Sequence, residues 1–260
     1  MSQSCPVQLL QHLYDQWFCR VVVDPHRILT ALRQYRHYVR EWRAYTRLPA
    51  AERLRLIDSY PCLEDRTVTT PFDAHYFYQA VWAMDQIVHS VARWHVDVGS
   101  EISFVGTLST HLPVKFVDIR PLMVQGVKNL SCIGGSLLHL PFASASIESL
   151  SCLHVAEHVG LGRYGDPLNP TGTRQASAEL TRVLAPGGHL LFSVPVGKPR
   201  VCFNAHRIHS PQQILDYFYG LRLVQFSAIV DDGTFRQEID PSALADANYA
   251  CGLFHFIKQP

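Results

Sequence analysis

One feature restricts how this chain can fold more than any other. A short apolar strand ends on an acid and a glycine, and a second strand closes on another acid. The first segment reads His95-Val-Asp-Val-Gly-Ser-Glu-Ile-Ser-Phe104, and the second ends at Asp118, 21 positions after Asp97. A glycine at a strand tip lets the backbone turn tightly beneath a ligand. A carboxylate about 20 residues further on can accept hydrogen bonds from ribose hydroxyls. This is the layout of a nucleotide-binding βαβ unit, although its glycine pattern is incomplete. The residues beyond Asp118 give it weight, because they continue the same alternation.

Strand patterns fall at 95–98, 114–118, 130–133, 149–154, 189–194, 222–230 and 251–256, with helical patterns near 102–110, 173–184 and 210–219. Such alternation predicts a mostly parallel sheet covered on both faces. A loop rich in Asp and Gly and a short acidic segment separate the last two strands, which are expected to pair antiparallel at one edge. Ahead of this region the spacing of Val7, Leu9, Leu10, Leu13, Trp17 and Phe18 predicts a helix over 6–20. A second helix, about 25–46, puts Ile28, Leu29, Leu32, Tyr35 and Trp42 on one side. Pro49, Pro61 and Pro71 punctuate the next stretch, so 48–72 reads as a short helix between loops. Asp73 can cap a helix whose apolar stripe is Phe77, Val81, Met84, Ile87 and Val91. The expected organisation is an N-terminal helical extension, 1–72, and an α/β domain, 73–260.

Composition removes several function classes. With 23 Lys+Arg against 22 Asp+Glu the formal charge is +1, which gives no electrostatic basis for nucleic acid as the main partner. The basic cluster from Arg33 to Arg47 reads as a solvated helix face. Seven cysteines, odd in number and never in a C-x-x-C pair, fit free thiols in a reducing compartment. No apolar run approaches about 18 residues and no basic-then-apolar leader opens the chain, so no integral membrane segment and a cytoplasmic location are expected. The amphipathic N-terminal helices offer a face on which a second subunit could pack.

The ordered series of motifs resembles a class I S-adenosylmethionine (SAM) dependent methyltransferase. It comprises the Asp97-Val-Gly99 loop, Asp118 closing the second strand, Leu140-Pro-Phe142 before Ser146-Ile-Glu-Ser149, and His154-Val-Ala-Glu-His158 after the fourth strand. Glu179-Leu-Thr-Arg-Val-Leu-Ala-Pro-Gly-Gly188 then enters the fifth. Glu157-His-Val-Gly-Leu-Gly-Arg-Tyr-Gly-Asp166 and Phe203-Asn-Ala-His-Arg207 resemble a branch described only as a domain of unknown function. The resemblance covers about residues 73 to 230 and implies a Rossmann-like sheet, mostly parallel with one antiparallel edge strand, and SAM as cofactor. It implies donor contacts from Asp97, Gly99 and Ser100, ribose contacts from Asp118, and an adenine site formed by Ile119, Ser136 and Leu137. Two departures stand out. Glu101 and Ser103 occupy the later glycine positions of the loop, which puts a carboxylate near the donor's own. Ser136 stands where an acidic residue is common.

The acceptor half of a methyl transfer is expected at the same sheet edge. His158 is the candidate general base, because an imidazole titrates near neutrality. Arg163, Tyr164 and Asp166 in the glycine-rich loop, with Asn204, His206 and Arg207 beyond the fifth strand, suit a sugar-like or other small polar acceptor. Tyr76, Tyr78 and Gln79 can approach from the preceding helix. Two other functions stay open. One is a fold relative that has lost the donor and serves as a binding scaffold. The other is a zinc hydrolase on His154, Glu157 and His158, since His154-Val-Ala-Glu-His158 matches H-x-x-E-H. That chemistry needs both histidines on one helix face, and the strand running into the motif leaves too little helix. No metal site is therefore expected.

Overall fold

The computed structural model describes residues 25–259 together with Val7, Leu10 and Tyr14. The helix expected over 6–20 falls, but for those three residues, outside the described residues. The chain divides into two compact units, Met1–Pro71 and Phe72–Pro260. In the first, helix α1 (Pro25–Tyr45) carries the expected apolar side, and its Ile28, Leu29, Leu32 and Tyr35 are exposed. The short helix expected within 48–72 is one 3-10 turn, Leu56–Asp58. No helix among the described residues is long and apolar enough to cross a membrane.

The second unit opens with α2 (Ala74–Val88), capped as expected. Asp73 Oδ1 accepts from the backbone N–H groups of His75 (3.0 Å) and Tyr76 (3.2 Å). Its buried face differs from the expected stripe. Gln79, Trp82, Ala83 and Ile87 are buried, whereas Phe77, Val81 and Val91 are exposed. Trp82 has more apolar area to bury than Val81, and Gln79 Oε1 accepts from the buried Ser193 hydroxyl at 2.7 Å, so the helix rolls towards that side.

Eight strands form the sheet: β1 (His95–Val98), β2 (Val114–Asp118), β3 (Leu130–Gly134), β4 (Ile147–Leu153), β5 (Leu184–Val196), β8 (Leu221–Ile229), β9 (Phe235–Arg236) and β10 (Ala250–Lys258). Their order is β3-β2-β1-β4-β5-β10-β8-β9. From β3 to β5 all neighbours are parallel, while β10 runs antiparallel to both β5 and β8. The antiparallel pairing thus lies at the expected end of the sheet, with the last strand slotted between two earlier ones. A separate hairpin, β6 (Arg200–Cys202) and β7 (His206–Ile208), follows β5.

Helices α3 (Ile102–Leu108), α4 (Gly172–Val183) and α5 (Pro211–Tyr217) complete the unit. The period-2 alternation of β5 shows why both sheet faces must be covered. Leu190, Phe192 and Val194 pack with Ala176, Leu180 and Val183 of α4, while Leu191 packs with Trp82 of α2 and Phe104 of α3. The chain runs outward from β1 through β2 to β3, then returns to place β4 on the other side of β1. That reversal opens a crevice at the carboxyl ends of β1 and β4, where ligands of open α/β sheets bind.

A polar clamp holds the Leu140-Pro-Phe142 segment against α4. Glu179 accepts from Leu140 N–H at 2.7 Å and pairs with Arg182, which donates to Leu140 O, Phe142 O and the Ser144 hydroxyl. The two sequence motifs are therefore one unit in space. Replacing Arg182 by Met leaves the two carbonyls without this donor, and is expected to lower unfolding free energy by about 2 kcal/mol in urea titration. An unchanged midpoint would mean that the clamp carries no stability.

Candidate functional site

The floor of the crevice is a buried polar network. Asp97, wholly buried, accepts from Ser100 N–H (3.0 Å), from the Ser100 hydroxyl (2.6 Å) and from the Ser151 hydroxyl. The Ser100 Oγ in turn accepts from Leu153 N–H at 3.0 Å, tying the tip of β1 to the tip of β4. His95, also wholly buried, lies between two hydroxyls, Nδ1 at 2.7 Å from Ser149 Oγ and Nε2 at 2.8 Å from Ser151 Oγ. Because Ser151 gives its proton to Asp97, it must accept from His95 Nε2–H, which leaves Nδ1 to accept from Ser149. Burial pushes the His95 imidazole down to about 3 and the Asp97 carboxyl up to about 6, the latter opposed by the Ser100 and Ser151 hydrogen bonds. Asp97 and Ser100 therefore lie under the cleft and hold its loop; neither lines the wall.

The wall itself is built from three adjacent strand tips. At β1, Gly99 adopts φ +70°, and a Cβ there would meet Val155 Cγ1 at 2.9 Å. At β2, Asp118 faces the cleft beside Ile119, which is half exposed, and Arg120, whose N–H donates to Asp118 Oδ1 at 2.6 Å. After β3, Ser136, Leu137 and Leu138 line the same space. Glu101 turns away from it. Its carboxylate caps α3, accepting from Ser103 N–H (2.9 Å) and Phe104 N–H (3.1 Å), and its ordinary φ of −62° asks for no glycine. The repulsion expected from this side chain is spent instead on a helix N-terminus, where a carboxylate is favoured.

Across the cleft, β4 runs into His154, and a 3-10 turn spans Ala156–His158. The H-x-x-E-H stretch is therefore a strand end and one tight turn, which overturns the arrangement a zinc hydrolase would need. Its two histidines both lie within ion-pair reach of Glu157 Oε1, but their hydrogen bonds go to different groups. His154 Nδ1 meets Glu157 Oε1 at 2.8 Å, and His158 Nδ1 meets Ala205 O at 2.6 Å. A carbonyl oxygen only accepts, so His158 Nδ1 carries its proton and Nε2 is left as the basic nitrogen. Burial opposes ionisation of Glu157, but the charges of His154 and His158 and the His154 hydrogen bond outweigh it and hold its pKa below the ordinary value.

The glycine-rich loop brings Tyr164 and Asp166 to the cleft. Asp166 organises the loop by accepting from Gly160 N–H (2.5 Å) and Tyr164 N–H (3.3 Å), while Arg163 donates to Ala205 O at 3.1 Å. Gly160 is required here, since a Cβ would lie 2.2 Å from Asn169 O. The Tyr164 ring stands edge-on to His158 and is flanked by Arg120 and Arg163, at 4.4 and 5.1 Å from its centroid. His206 lies next to His158 and Tyr249, and burial lowers its pKa. Asn204 is exposed on the β6–β7 turn.

Three residues expected at the acceptor side, Arg207, Gln79 and Tyr78, are engaged elsewhere. Arg207 is buried and donates to Val159 O (2.6 Å) and Asn169 O (2.9 Å), so its guanidinium braces the loop from below. Gln79 is occupied by Ser193, and Tyr78 stacks on Phe235. Tyr76 does reach the site, 5.5 Å from the His154 ring. Arg120 and Val155 line the cleft without having been expected. Only the proximity of Arg120 to Asp118 hinted at the first.

With this geometry in place, comparison with known proteins defines the fold class. A family model described as a Caenorhabditis protein of unknown function, DUF268, matches residues 142–245. No curated protein matches the chain at the sequence level. Among solved structures, YcgJ from Bacillus subtilis is similar at TM-score 0.51 and 15% identity, over 71% of this chain and 99% of its own. A Haloferax volcanii chain described as a methyltransferase candidate, solved with the Trm112 methyltransferase activator, has TM-score 0.52 and 15% identity over 71% and 91%. The cyclase SpnF has TM-score 0.52 and 12% identity over 70% and 81%. The chain has the class I SAM-dependent methyltransferase fold.

The His95 network has a measurable signature. Its imidazole titrates near 3 in the folded chain and near 6.5 when free, so between these values the unfolded chain binds more protons. The stability this site contributes is complete above about pH 6.5 and is lost as pH falls towards 3, with a slope of up to about 1.4 kcal/mol per pH unit. Urea titrations at pH 4.5, 5.5 and 7 should show a shallower acid loss in His95→Gln than in the parent. The raised Asp97 acts in the opposite sense in both proteins, and glutamine is chosen because its amide can still donate to Ser151 and so preserve the Ser151 hydrogen bond to Asp97. Equal slopes would mean that the imidazole is not held neutral.

Proposed function

We propose that the chain binds SAM in this cleft and transfers its methyl group to an oxygen of a sugar-like or other small polar acceptor. The observation that carries the reading is the convergence of Gly99, Asp118 and Leu137, from three adjacent strand tips, on a cleft that His158 also lines. The fit to the donor rests on these residues. The missing Cβ at Gly99 keeps the loop low, and Asp118 supplies carboxylate lone pairs for a ribose diol. Ile119 offers half-exposed apolar surface for an adenine face, with the Leu137 backbone beside it. Turning Glu101 onto α3 removes the like charge from the donor's carboxylate.

When bound, SAM supplies an electrophilic methyl on a sulfonium. The protein's part is to place an acceptor hydroxyl in line with that methyl and to remove its proton. His158 Nε2 would take the proton of the acceptor hydroxyl. Glu157 Oε1, 3.7 Å from Nε2, stabilises the imidazolium, and Ala205 O holds the ring through Nδ1. Tyr164 and His206 lie against the His158 ring, and Arg163 stands 3.2 Å from its Nδ1, hydrogen-bonding groups suited to a polyhydroxylated ligand.

Calorimetry with SAM and with its demethylated product tests the donor half. Saturable binding is expected, weakened at least about 10-fold in Asp118→Ala by loss of charge-assisted hydrogen bonds. No heat with millimolar ligand would instead favour a binding scaffold of the same fold. Once an acceptor is in hand, His158→Gln should lower kcat by about 100-fold while leaving affinity for the demethylated product unchanged. A fall in both would assign His158 to ligand binding.

A further inference from the structure

We infer that His75, His154 and Cys251 form a binding site for a thiophilic divalent cation, with zinc as the chemical match. The three come from distant parts of the chain: the first turn of α2, the end of β4 and the start of β10. Their ligand atoms all lie within 4.8 Å of one another. Zinc bound at about 2.0–2.1 Å to nitrogen and 2.3 Å to sulfur holds tetrahedral ligands roughly 3.5 Å apart. The side chains need to close by only about 1 Å, well within rotamer adjustment.

The independent observation is an orphaned atom. His154 is about nine-tenths buried, and its Nε2 has no hydrogen-bond partner of nitrogen or oxygen. Only the Cys251 thiol, a weak donor, stands beside the ring. An imidazole nitrogen left in that state in the interior is costly, and native chains rarely tolerate it without a ligand. The other ring nitrogen is already committed to Glu157 Oε1 at 2.8 Å, and Glu157 is wholly buried with His154 as its close partner. With the Nδ1 proton held by the carboxylate, Nε2 is the ring atom left to ligate, a bound cation taking the place of any proton it carries. This is the carboxylate–histidine–metal arrangement, in which an outer carboxylate fixes the tautomer and ring orientation of a ligand. His154 also takes the left-handed conformation, φ +57°, rare for a residue with a Cβ and often found where function demands a particular side-chain direction.

The partners suit the same ion. The His75 ring lies against His154 at 5.4 Å and against Tyr249 at 5.1 Å, and the residue is partly open to solvent, which gives the ion a way in. Cys251 is fully buried beside them. As a mere core filler it would behave as a small hydrophobe and give Nε2 only a weak sulfur contact. Imidazole with thiolate is the donor set that favours zinc over magnesium or calcium. Three protein ligands leave a fourth position for water or a ligand atom, and His154 lines the proposed donor cleft. This site is not the H-x-x-E-H one: Glu157 stands behind a ligand and His158 takes no part.

Binding displaces the Cys251 thiol proton to solvent, so affinity should fall as pH drops. The test uses the full chain, stripped with a chelator and titrated with Co2+ and then Zn2+ under reducing conditions. One equivalent of Co2+ should produce a thiolate-to-cobalt charge-transfer band in the near ultraviolet, removed by one equivalent of Zn2+. Cys251→Ser should abolish the band, and His75→Ala, at a partly exposed position, should weaken binding at least about 10-fold with the far-ultraviolet circular dichroism unchanged. His158→Ala and Cys152→Ser should leave the titration unchanged. No charge-transfer band at stoichiometric metal overturns the inference. So does binding that survives in both Cys251→Ser and His75→Ala, or that is lost only in His158→Ala.

Discussion

The crevice depends on a hydrogen-bonded chain with almost no access to water: Ser149, His95, Ser151, Asp97, Ser100 and the Leu153 amide. Ser149 donates to His95 and His95 to Ser151, Ser151 and Ser100 both donate to Asp97, and Ser100 accepts from the Leu153 amide, so removing any one strands a buried polar atom. The chain links β1 to β4 at the place where the sheet changes direction. It sets the height of Gly99 and hence the depth of the space above it. Asp97, which an acidic residue in this loop would suggest as a ligand contact, acts one layer lower. It holds the backbone that does the contacting.

The loop's departures from a glycine-rich pattern become intelligible on the same terms. Only Gly99 sits at positive φ with a side chain pressed against its Cα. Position 101 has an extended backbone that any residue adopts, and a glutamate there can cap the helix that begins at Ile102. The site keeps the one glycine that geometry demands and uses position 101 for local stability.

Much of this was readable before any coordinates. The strands at 95–98 and 114–118 coincide with β1 and β2 because short apolar runs bounded by turn residues leave little choice of register. Asp118, Ile119, Ser136 and Leu137 were legible as wall residues from the motif series, and His158 from its place after β4. The roll of α2 was not, since Val81 and Trp82 are both apolar and the partner that draws Gln79 inward, the Ser193 hydroxyl, is distant in sequence. Arg207 looked like a ligand group because guanidinium chemistry is the same whether it meets a substrate or a carbonyl such as Val159 O. His75 and Cys251 belong to no local pattern at all. Their meeting with His154 exists only once the first helix and last strand of this unit are in place.

The insertion of β10 between β5 and β8 bears on how such a sheet is assembled. Both neighbours precede it in the chain, and in the finished molecule neither touches the other across that gap. Until β10 is in place, β5 and β8 each lack the ladder partner for one edge, and an unpaired apolar edge is a template able to capture the wrong strand. The order of synthesis thus makes this slot the aggregation-exposed stage of the fold. Whatever shields it in the interval, a transient collapse or a chaperone, protects the whole sheet.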